Sequence, residues 1–369
     1  RLENTADGQT KIGSTGRGIG PVYEDHVGRR GLVVNDMLNP RIFGEKLEAN
    51  LQHNLSLLKS KDPKAVKKVL EQKALLNGKF YDPYDILDTK EMISVYLEFG
   101  QFFRKWISDT EDFLANSVGK KRILLEGAQG FLLSYEHGSH PFVTSSNCSI
   151  QGLVKGVGLS EKDVERVFGI AKAFYMTRVG EGPFPTEFGG AESSEWCKNH
   201  TRQNERERFP NPNINSSCEL EQGVAARVIG EEYGATTGRP RRTGWLDLPL
   251  LRLAAKTNGS ELILTKVDVL DSCERIKVCV DYKYEGPDYQ LGNETIKSGR
   301  ELRVAIMDPN VLPHCIPIYQ EFPGWQSAIR NIREYSKLPQ KLKEIIRFIE
   351  LETSIVSVGP ERDQTIIRD

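Results

Sequence analysis

The sequence predicts an α/β fold with a mainly parallel central sheet and flanking helices. Apolar runs of strand length occur at intervals, such as ELILT at 261–265 and SIVSV at 354–358. They alternate with segments of helical spacing, for example LDLPLLRLAAKTNG at 246–259. Charged or glycine-rich turns follow the strands, where parallel sheets present their binding residues. Strands connected by helices, with a site along the carboxyl edge of the sheet, explain all three features.

Composition is typical of a globular protein and argues against binding through overall charge. The 369 residues are 38% hydrophobic and 27% charged, with a net charge of −1, so no global positive field attracts nucleic acid. No apolar run reaches the roughly 18–20 residues that span a bilayer. The six cysteines form no CxxC pair and are expected to be reduced thiols. We therefore expect a cytoplasmic protein without a nucleic-acid or membrane partner.

The chain 1–369 is predicted to form one domain with two distinct sections. Apolar residues recur at three- and four-residue steps through 41–118, which predicts a helical subdomain divided into separate helices at Asn77–Gly78 and at two prolines. RILLEGAQG at 122–130 predicts a short buried strand with a polar tip. The stretch 189–218 is rich in Asn, Ser, Arg, Glu and Pro, and predicts a mobile surface insertion.

The densest cluster of anion-binding side chains is GATTGRPRRTGWLD, at 234–247. Its three arginines present forked donors that fit carboxylate and phosphate, and its threonines add hydroxyl donors. Its glycines allow the backbone to approach a ligand closely. The stretch is therefore a candidate receptor for a small, multiply anionic molecule. A solvated basic loop or a nucleic-acid patch is an equal alternative for this stretch alone.

TKVD, at 265–268, follows an apolar strand and is a candidate base-reading motif. The Asp268 carboxylate can accept both the N1–H and the 2-amino hydrogens of guanine, which adenine lacks. The aliphatic part of Lys266 can lie along the face of the purine. The alternative is a strand end with a solvated lysine and aspartate, and the motif alone favours that alternative.

Two weaker motifs are left without a function. GSTGRGIGP at 13–21 can offer N–H groups to a phosphate, but it lacks the lysine of a P-loop, and a structural turn is favoured. His137 and His140 lie three residues apart, but no nearby Cys or third His completes a metal site. No metal ligand is assigned.

Eight motifs in order resemble the adenylosuccinate synthetase family: STGRGIGPVYEDHVGRRG, LLEGAQG, HPFVTSSN, TRVGEGPFPTE, GATTGRPRRTGWLD, LTKVDVLD, PGW and SVGPER. The resemblance runs from Gly13 to about Asp369, outside the helical section and 189–218. It implies that family's P-loop-NTPase-like fold in a cytoplasmic homodimer. It also implies GTP-dependent ligation of IMP and L-aspartate to adenylosuccinate, on the route to AMP. In that reaction GTP with Mg²⁺ phosphorylates the 6-oxo group of IMP, and the aspartate amine then displaces phosphate from the 6-phosphoryl-IMP intermediate.

The resemblance also implies roles for individual residues. Arg29 is implied to cross the dimer interface to the IMP phosphate of the neighbouring subunit. The implied IMP residues are Thr15, Arg29, Gln129, Thr144 and Arg239. The implied aspartate residues are Ala235, Thr236, Thr237, Gly238 and Arg241. The implied GTP residues are Arg241, Lys266, Val267, Asp268, Ser357, Val358 and Gly359.

One departure from the family concerns the chemistry itself. Family members begin with a GDEGKGK phosphate loop and a GGHNAGH element, which supply the catalytic Asp and His, a phosphate-binding Lys and Mg²⁺ ligands. Neither motif occurs in the 369 residues, which begin with Arg1. We therefore assign no catalytic residue, and expect an N-terminally incomplete chain that is inactive by itself. The alternative is a non-catalytic homologue that binds GTP or IMP.

Overall fold

The computed structural model describes residues 16–60, 63–64, 67, 71, 74–76, 79–81, 89–234 and 238–368. Internal contacts divide the chain into two units, which are described separately. Unit 1 comprises Arg1–Leu125, Thr144–Ser146 and Val154–Leu159, and unit 2 comprises Glu126–Val143, Asn147–Leu153 and Ser160–Asp369. Helices and strands are numbered in chain order over the described residues.

Unit 1 is built mainly from helices. Phe43 and Tyr96 join the two longest, with ring centroids 6.0 Å apart. The buried Asp36 accepts from Lys46 Nζ at 2.7 Å and from the Val33 N–H at 2.9 Å, which ties the short 3-10 turn Val34–Leu38 to the helix that follows it. The elements are α1 (Ile19–Val27), α2 (Pro40–Lys59), β1 (Ala74–Leu76), β2 (Lys79–Tyr81), α3 (Thr89–Phe103) and α4 (Thr110–Ala115); α5 (Ile150–Gly156) has residues in both units.

A hairpin replaces the expected end of one helix in unit 1. Strands β1 and β2 pair antiparallel, with Leu76 opposite Lys79. The dipeptide between them in the sequence, Asn77–Gly78, was interpreted as a break between helices. Asn77–Gly78 itself lies outside the described residues, but the helices expected on either side were wrong at 74–76 and 79–81, where short strands form instead.

The buried strand predicted at 122–130 is also absent. Residues 122–127 form no strand, and Leu124 is 86% exposed. An apolar run becomes a strand only when a neighbour satisfies its backbone groups, and no strand among the described residues pairs with this one. The prediction was wrong because the residues were suited to a strand but have no partner strand in the part of the chain that the structure describes.

Unit 2 contains the two larger sheets, and their central strands are parallel. In a four-stranded sheet of order β13-β12-β6-β3, β6 pairs parallel with both neighbours and β13 is an antiparallel edge. In a second sheet, of order β10-β7-β5-β4, β5 and β7 are parallel, and β4, β10 and β11 pair antiparallel. The predicted α/β class with a mainly parallel central sheet is therefore confirmed. The strands are β3 (Phe168–Lys172), β4 (Tyr175–Arg178), β5 (Arg242–Asp247), β6 (Glu261–Thr265), β7 (Arg275–Tyr284), β8 (Tyr289–Leu291), β9 (Glu294–Ile296), β10 (Glu301–Leu302), β11 (Cys315–Pro323), β12 (Thr353–Ser357) and β13 (Thr365–Ile367).

Helices cover these sheets and enclose an aliphatic core. Leu246, Leu264 and Val356 from three strands pack with Ile345 in one buried cluster. Local sequence explains where the helices begin and end. In α9, for example, Asp247 caps the first turn, and Gly259 ends the helix at φ 60°. The helices are α6 (Gly190–Asn199), α7 (Arg202–Arg208), α8 (Glu219–Gly230), α9 (Leu248–Asn258) and α10 (Gln340–Phe348).

The stretch 189–218, expected to be a mobile surface insertion, contains α6 and α7 and contributes buried residues. Glu205 of α7 is fully buried and lies 2.6 Å from Arg227 Nη2, which is equally buried. It also accepts from the Tyr233 hydroxyl at 2.8 Å and from Trp196 Nε1 at 3.0 Å. Although the stretch is polar in composition, it therefore contains a buried ion pair that attaches it to α8.

Replacing Glu205 with alanine is expected to destabilise the protein by about 3–5 kcal/mol, because Arg227 would keep a buried charge without its carboxylate. Urea denaturation followed by circular dichroism measures the change in free energy of unfolding. Glu207→Ala on the same helix is the matched control, since Glu207 is exposed and should change stability by less than about 0.5 kcal/mol. Equally small effects of both substitutions would contradict a structural role for the buried pair.

Asp247 is a second buried acid, and it should make stability depend on pH. Burial raises its pKa from 3.8 to about 7, although hydrogen bonds from Tyr282 and the Leu250 N–H oppose the rise. Between about pH 4 and pH 7 the folded protein therefore holds a proton that the unfolded chain has lost. The stabilisation is complete below that window and is lost as pH rises through it.

Asp247→Asn should remove this pH dependence, because the amide is neutral throughout and can still accept from Tyr282 and Leu250. From pH 4 to pH 7 the free energy of unfolding of the wild type should fall by about 3–4 kcal/mol more than that of the variant. Asp247→Ala is the contrasting variant. It should be less stable at every pH, because it loses the helix cap and leaves the Tyr282 hydroxyl without its acceptor. Parallel pH profiles for wild type and Asp247→Asn would show that Asp247 is ionised in the folded state.

Candidate functional site

A buried carboxylate, Glu232, gathers basic side chains at the carboxyl edge of the four-stranded sheet. It accepts from Arg241 Nη1 at 2.8 Å, from Lys266 Nζ at 2.9 Å and from the Tyr175 hydroxyl at 2.9 Å. Lys172 Nζ lies 3.3 Å from its Oε2 atom. We call these five residues the Glu232 cluster.

The fold explains how the Glu232 cluster assembles. Lys172 ends β3 and is paired with the last residue of β6, Thr265, so that Lys266 follows directly beside it. Helix α8 ends at Gly230, and the next residue takes a left-handed conformation that turns the chain back toward the strands. The Arg241 N–H then donates to the Glu232 carbonyl at 2.9 Å, and Lys266 Nζ donates to the Gly230 carbonyl at 2.5 Å.

The electrostatics of the cluster favour an ionised Glu232. Burial raises the pKa of its carboxyl, but Lys172 and Lys266 outweigh this effect and hold the pKa below its usual value. Burial lowers the pKa of Lys172, and the positive charges of Arg241 and Lys266 add to that decrease, while Glu232 opposes it. Three basic groups thus share one carboxylate, which leaves a positive surplus.

That surplus is partly open to solvent. The Arg241 side chain is 31% exposed and that of Lys266 is 37% exposed, whereas Glu232 is fully buried. Among the residues that the structure describes, no acceptor is bonded to Nε of Arg241. Arg241 Nε is itself buried, so the solvent-exposed part of the guanidinium lies at its terminal nitrogens, which are suited to bind a ligand carboxylate or phosphate.

Asp268 lies beside this cluster in the 3-10 turn Val267–Leu270. Its carboxylate is nearly buried and accepts from Arg330 Nε and Nη2, both at 2.8 Å. The segment that carries Arg330 is itself fixed, because Asp271 accepts from Trp325 Nε1 at 2.9 Å and from the Ile329 N–H at 3.2 Å. Through these two hydrogen bonds, Asp271 holds the PGW motif next to the TKVD motif.

Strand β12 brings its own end to the same edge. Val356 is paired with Leu264, so Ser357 follows next to the end of β6. The Ser357 hydroxyl donates to the Gly359 carbonyl at 2.9 Å, and the Val358 N–H donates to the Gln364 carbonyl at 2.9 Å. The structure thus brings together the predicted residues of 266–268 and 357–359.

The remaining predicted residues are not gathered in this way. Gly238 has a φ of 64° and, like Arg239, is exposed on the loop before β5. Gln129 also has a positive φ, 58°, and belongs to unit 2. Arg29 (φ 62°) and Thr144 belong to unit 1, so a common IMP site stays a prediction. Thr15, Ala235, Thr236 and Thr237 lie outside the described residues.

One arginine of the 234–247 stretch serves the fold instead of a ligand. Arg242 is buried and donates through Nε and Nη2 to Glu187, at 2.9 and 2.5 Å. Its Nη1 donates to the Gly182 carbonyl at 2.7 Å. Arg242, the one arginine of the stretch to which no ligand was assigned, therefore has a structural role. Glu187, which ends the GEGPFPTE turn, was the available signal for this pairing.

A metal site and a membrane span find no support in the described ranges. Those residues contain no group of three or more His, Cys, Asp or Glu that could hold an ion. His140 Nε2 lies 2.5 Å from the Tyr135 carbonyl, and the His137 ring stacks on Phe131. No helix in the same ranges combines the length and apolarity of a bilayer crossing.

Comparisons with known proteins identify the family. Residues 1–366 match the family model for adenylosuccinate synthetase. The adenylosuccinate synthetase of Trichlorobacter lovleyi is 38% identical over 366 residues, which cover 98% of this chain and 70% of that protein. That of Thermodesulfovibrio yellowstonii is 36% identical over 375 residues, covering 100% of this chain and 73% of its own length.

A solved structure shows the same fold. The structure of fully ligated adenylosuccinate synthetase from Plasmodium falciparum matches with a TM-score of 0.74 and 27% identity, covering 98% of this chain and 71% of that chain. The relatives are synthetases, which confirms the predicted ligase class and does not support the non-catalytic alternative. The family model and the identities above 30% show that the chain belongs to the adenylosuccinate synthetase family.

Proposed function

We propose that the carboxyl edge of the β3-β6-β12 sheet recognises the guanine of GTP and an anionic substrate in the family's reaction. That reaction, as predicted, is the GTP-dependent ligation of IMP and L-aspartate to adenylosuccinate. The observation that carries the proposal is the meeting of Lys266, Asp268 and Ser357 at adjacent strand ends, next to the Glu232 cluster.

Guanine recognition follows from the chemistry of Asp268. A nearly buried carboxylate is largely shielded from water, so its hydrogen bonds discriminate strongly between bases. Two N–H donors of Arg330 already converge on it, and guanine offers a similar pair through N1–H and its 2-amino group. In the proposal GTP replaces Arg330 at this carboxylate. The stem of Lys266 then lies along the purine, and Val267 with the Ser357–Gly359 turn lines the base.

Arg241 is proposed to bind the aspartate substrate and to approach the GTP, since its side chain is 31% exposed beside the Glu232 carboxylate that holds Nη1. We propose Ala235, Thr236, Thr237 and Gly238 as the rest of the aspartate loop. The proposed IMP residues are Thr15, Arg29, Gln129, Thr144 and Arg239, with Arg29 acting across a homodimer. A cytoplasmic location is part of the same proposal.

Mg²⁺ has no proposed ligands in the part of the chain that the structure describes. The family uses Mg²⁺ with GTP, but these ranges hold no group of three or more His, Cys, Asp or Glu residues that could bind the ion. No step is therefore derived through the metal. The family's GDEGKGK loop and catalytic His likewise find no counterpart in the 369 residues, and every role proposed here concerns substrate recognition.

The proposed activity is tested by phosphate release from the full-length protein with GTP, IMP and L-aspartate. Turnover should require all three, because the nucleotide is consumed only when IMP accepts its phosphoryl group and aspartate then displaces it. Omitting one substrate at a time provides the control. Phosphate release that continues without IMP would overturn the proposed function.

Asp268→Asn tests the guanine subsite. The variant should lose about 10- to 100-fold in kcat/KM for GTP, because an amide cannot accept both donors of guanine. It should gain relative efficiency with XTP, whose 2-oxo group can accept from the new amide. Steady-state kinetics with each nucleotide measure the change.

Arg330→Leu is the matched control for that experiment. It removes the ion pair with Asp268 but leaves the carboxylate, so it should keep the preference for GTP over XTP. If Asp268→Asn also kept that preference, guanine would be recognised elsewhere.

A further inference from the structure

The Glu232 cluster differs from the other buried ion pairs of unit 2 in its charge balance. Glu205 is matched with Arg227, and Glu187 is matched with Arg242, one acid to one base in each case. Glu232 instead faces Lys172, Lys266 and Arg241. The nearby Asp268 does not restore the balance, because it is paired with a further base, Arg330.

This imbalance is unfavourable for stability alone. Like charges repel, and the lowered pKa of Lys172 records the combined effect of burial and its cationic neighbours. Even balanced buried ion pairs contribute little to stability once desolvation is counted. A cluster with surplus positive charge and two partly exposed members is suited to a state in which an anion completes it.

The two oxygens of the carboxylate divide between the two proposed subsites. Oε1 accepts from Lys266, which adjoins the guanine-reading Asp268, and from Tyr175. Oε2 accepts from Arg241, on the proposed aspartate side, and lies near Lys172. Since a carboxylate is a rigid plane, a change in the position of Arg241 is transmitted to Lys266 through one group.

Two hydrogen bonds to backbone carbonyls hold the same segment independently of the Glu232 side chain. The Arg241 N–H donates to the Glu232 carbonyl, and Lys266 Nζ donates to the Gly230 carbonyl. A substitution of the Glu232 side chain therefore leaves these anchors in place. This separates its effect on the two cations from a general loss of structure.

We infer that Glu232 is a positioning residue that orients Arg241 and Lys266 together and so couples aspartate binding to GTP binding. The inference rests on the proposed function of these two side chains. The ligand that binds first, GTP or aspartate, fixes the Glu232 carboxylate and the cation that it contacts. The other cation is then already oriented for the second ligand. Because coupling between sites is reciprocal, each substrate should tighten the binding of the other.

The test uses Glu232→Gln in the full-length protein, since the amide keeps the size but removes the charge. KM for GTP and KM for L-aspartate should rise together by about tenfold, because each cation loses its charge-assisted hydrogen bond. In wild type, KM for GTP should fall as aspartate approaches saturation, and in the variant this dependence should disappear. Glu231→Gln is the matched control, because Glu231 is adjacent, 63% exposed and paired with Arg202.

The possible outcomes distinguish a failure of the proposed function from a failure of the inference about Glu232. No GTP-dependent turnover in wild type would overturn the proposed function and the inference with it. Normal wild-type turnover, with Glu232→Gln altering one KM or only the melting temperature, would overturn the inference alone. If Glu232→Gln does not fold, Glu232→Asp keeps the charge but shortens the reach by one methylene. It should raise both KM values together, and unchanged values would again overturn the inference.

Discussion

The parallel pairing of β3, β6 and β12 is the constraint on which the rest of unit 2 depends. Parallel strands end at the same edge, so Lys172, Lys266 and Ser357 become neighbours although nearly two hundred residues of sequence separate the first from the last. Their hydrogen-bonding groups are released from the ladder just where the strands stop. The position of the candidate site therefore follows from backbone register before any side chain is considered.

Buried ion pairs then fix the segments that deliver the other side chains. Arg241 and Arg242 are adjacent, and successive residues of an extended chain point to opposite sides. Arg241 accordingly meets Glu232, while Arg242 turns inward to Glu187 and holds the turn at 180–187. Two chemically identical neighbours thus separate into one residue of the proposed binding site and one structural residue, because β5 begins between them.

Local chemistry in the sequence predicted the strand ends well. The apolar runs of β6 and β12 and the polar residues after them need no distant information, so TKVD and SVGP were recognised directly. The antiparallel pair β1 and β2 was also signalled locally, by the short apolar runs that form it, but helical spacing in that section received more weight. The strand expected at 122–130 failed for a different reason, since pairing depends on a partner elsewhere in the chain.

Burial of charge was the property that the sequence could not reveal. Glu231 and Glu232 are adjacent and identical, yet one is mostly exposed and the other fully buried. Which of them meets Arg241 is decided by the left-handed turn at Glu231, a conformation that few residues other than glycine adopt readily. The sequence did not reveal the burial of Glu205 either, because the stretch around it is polar on average. Composition gives only the average polarity of a stretch, whereas the burial of one acid depends on a single base that lies far away in the sequence.

The contrast between balanced and unbalanced clusters links this fold to its proposed chemistry. Where one acid meets one base, as in Glu205 with Arg227, the pair is complete and a ligand has nothing to add. Where three bases share Glu232, part of their mutual repulsion persists until an anion arrives, and its relief adds to the free energy of binding. The same carboxylate limits how far each base can move to meet that anion. In the proposed site one buried acid would thus contribute both to affinity for the anion and to the orientation of the bases, which explains its place at the centre of the proposed anion-binding edge.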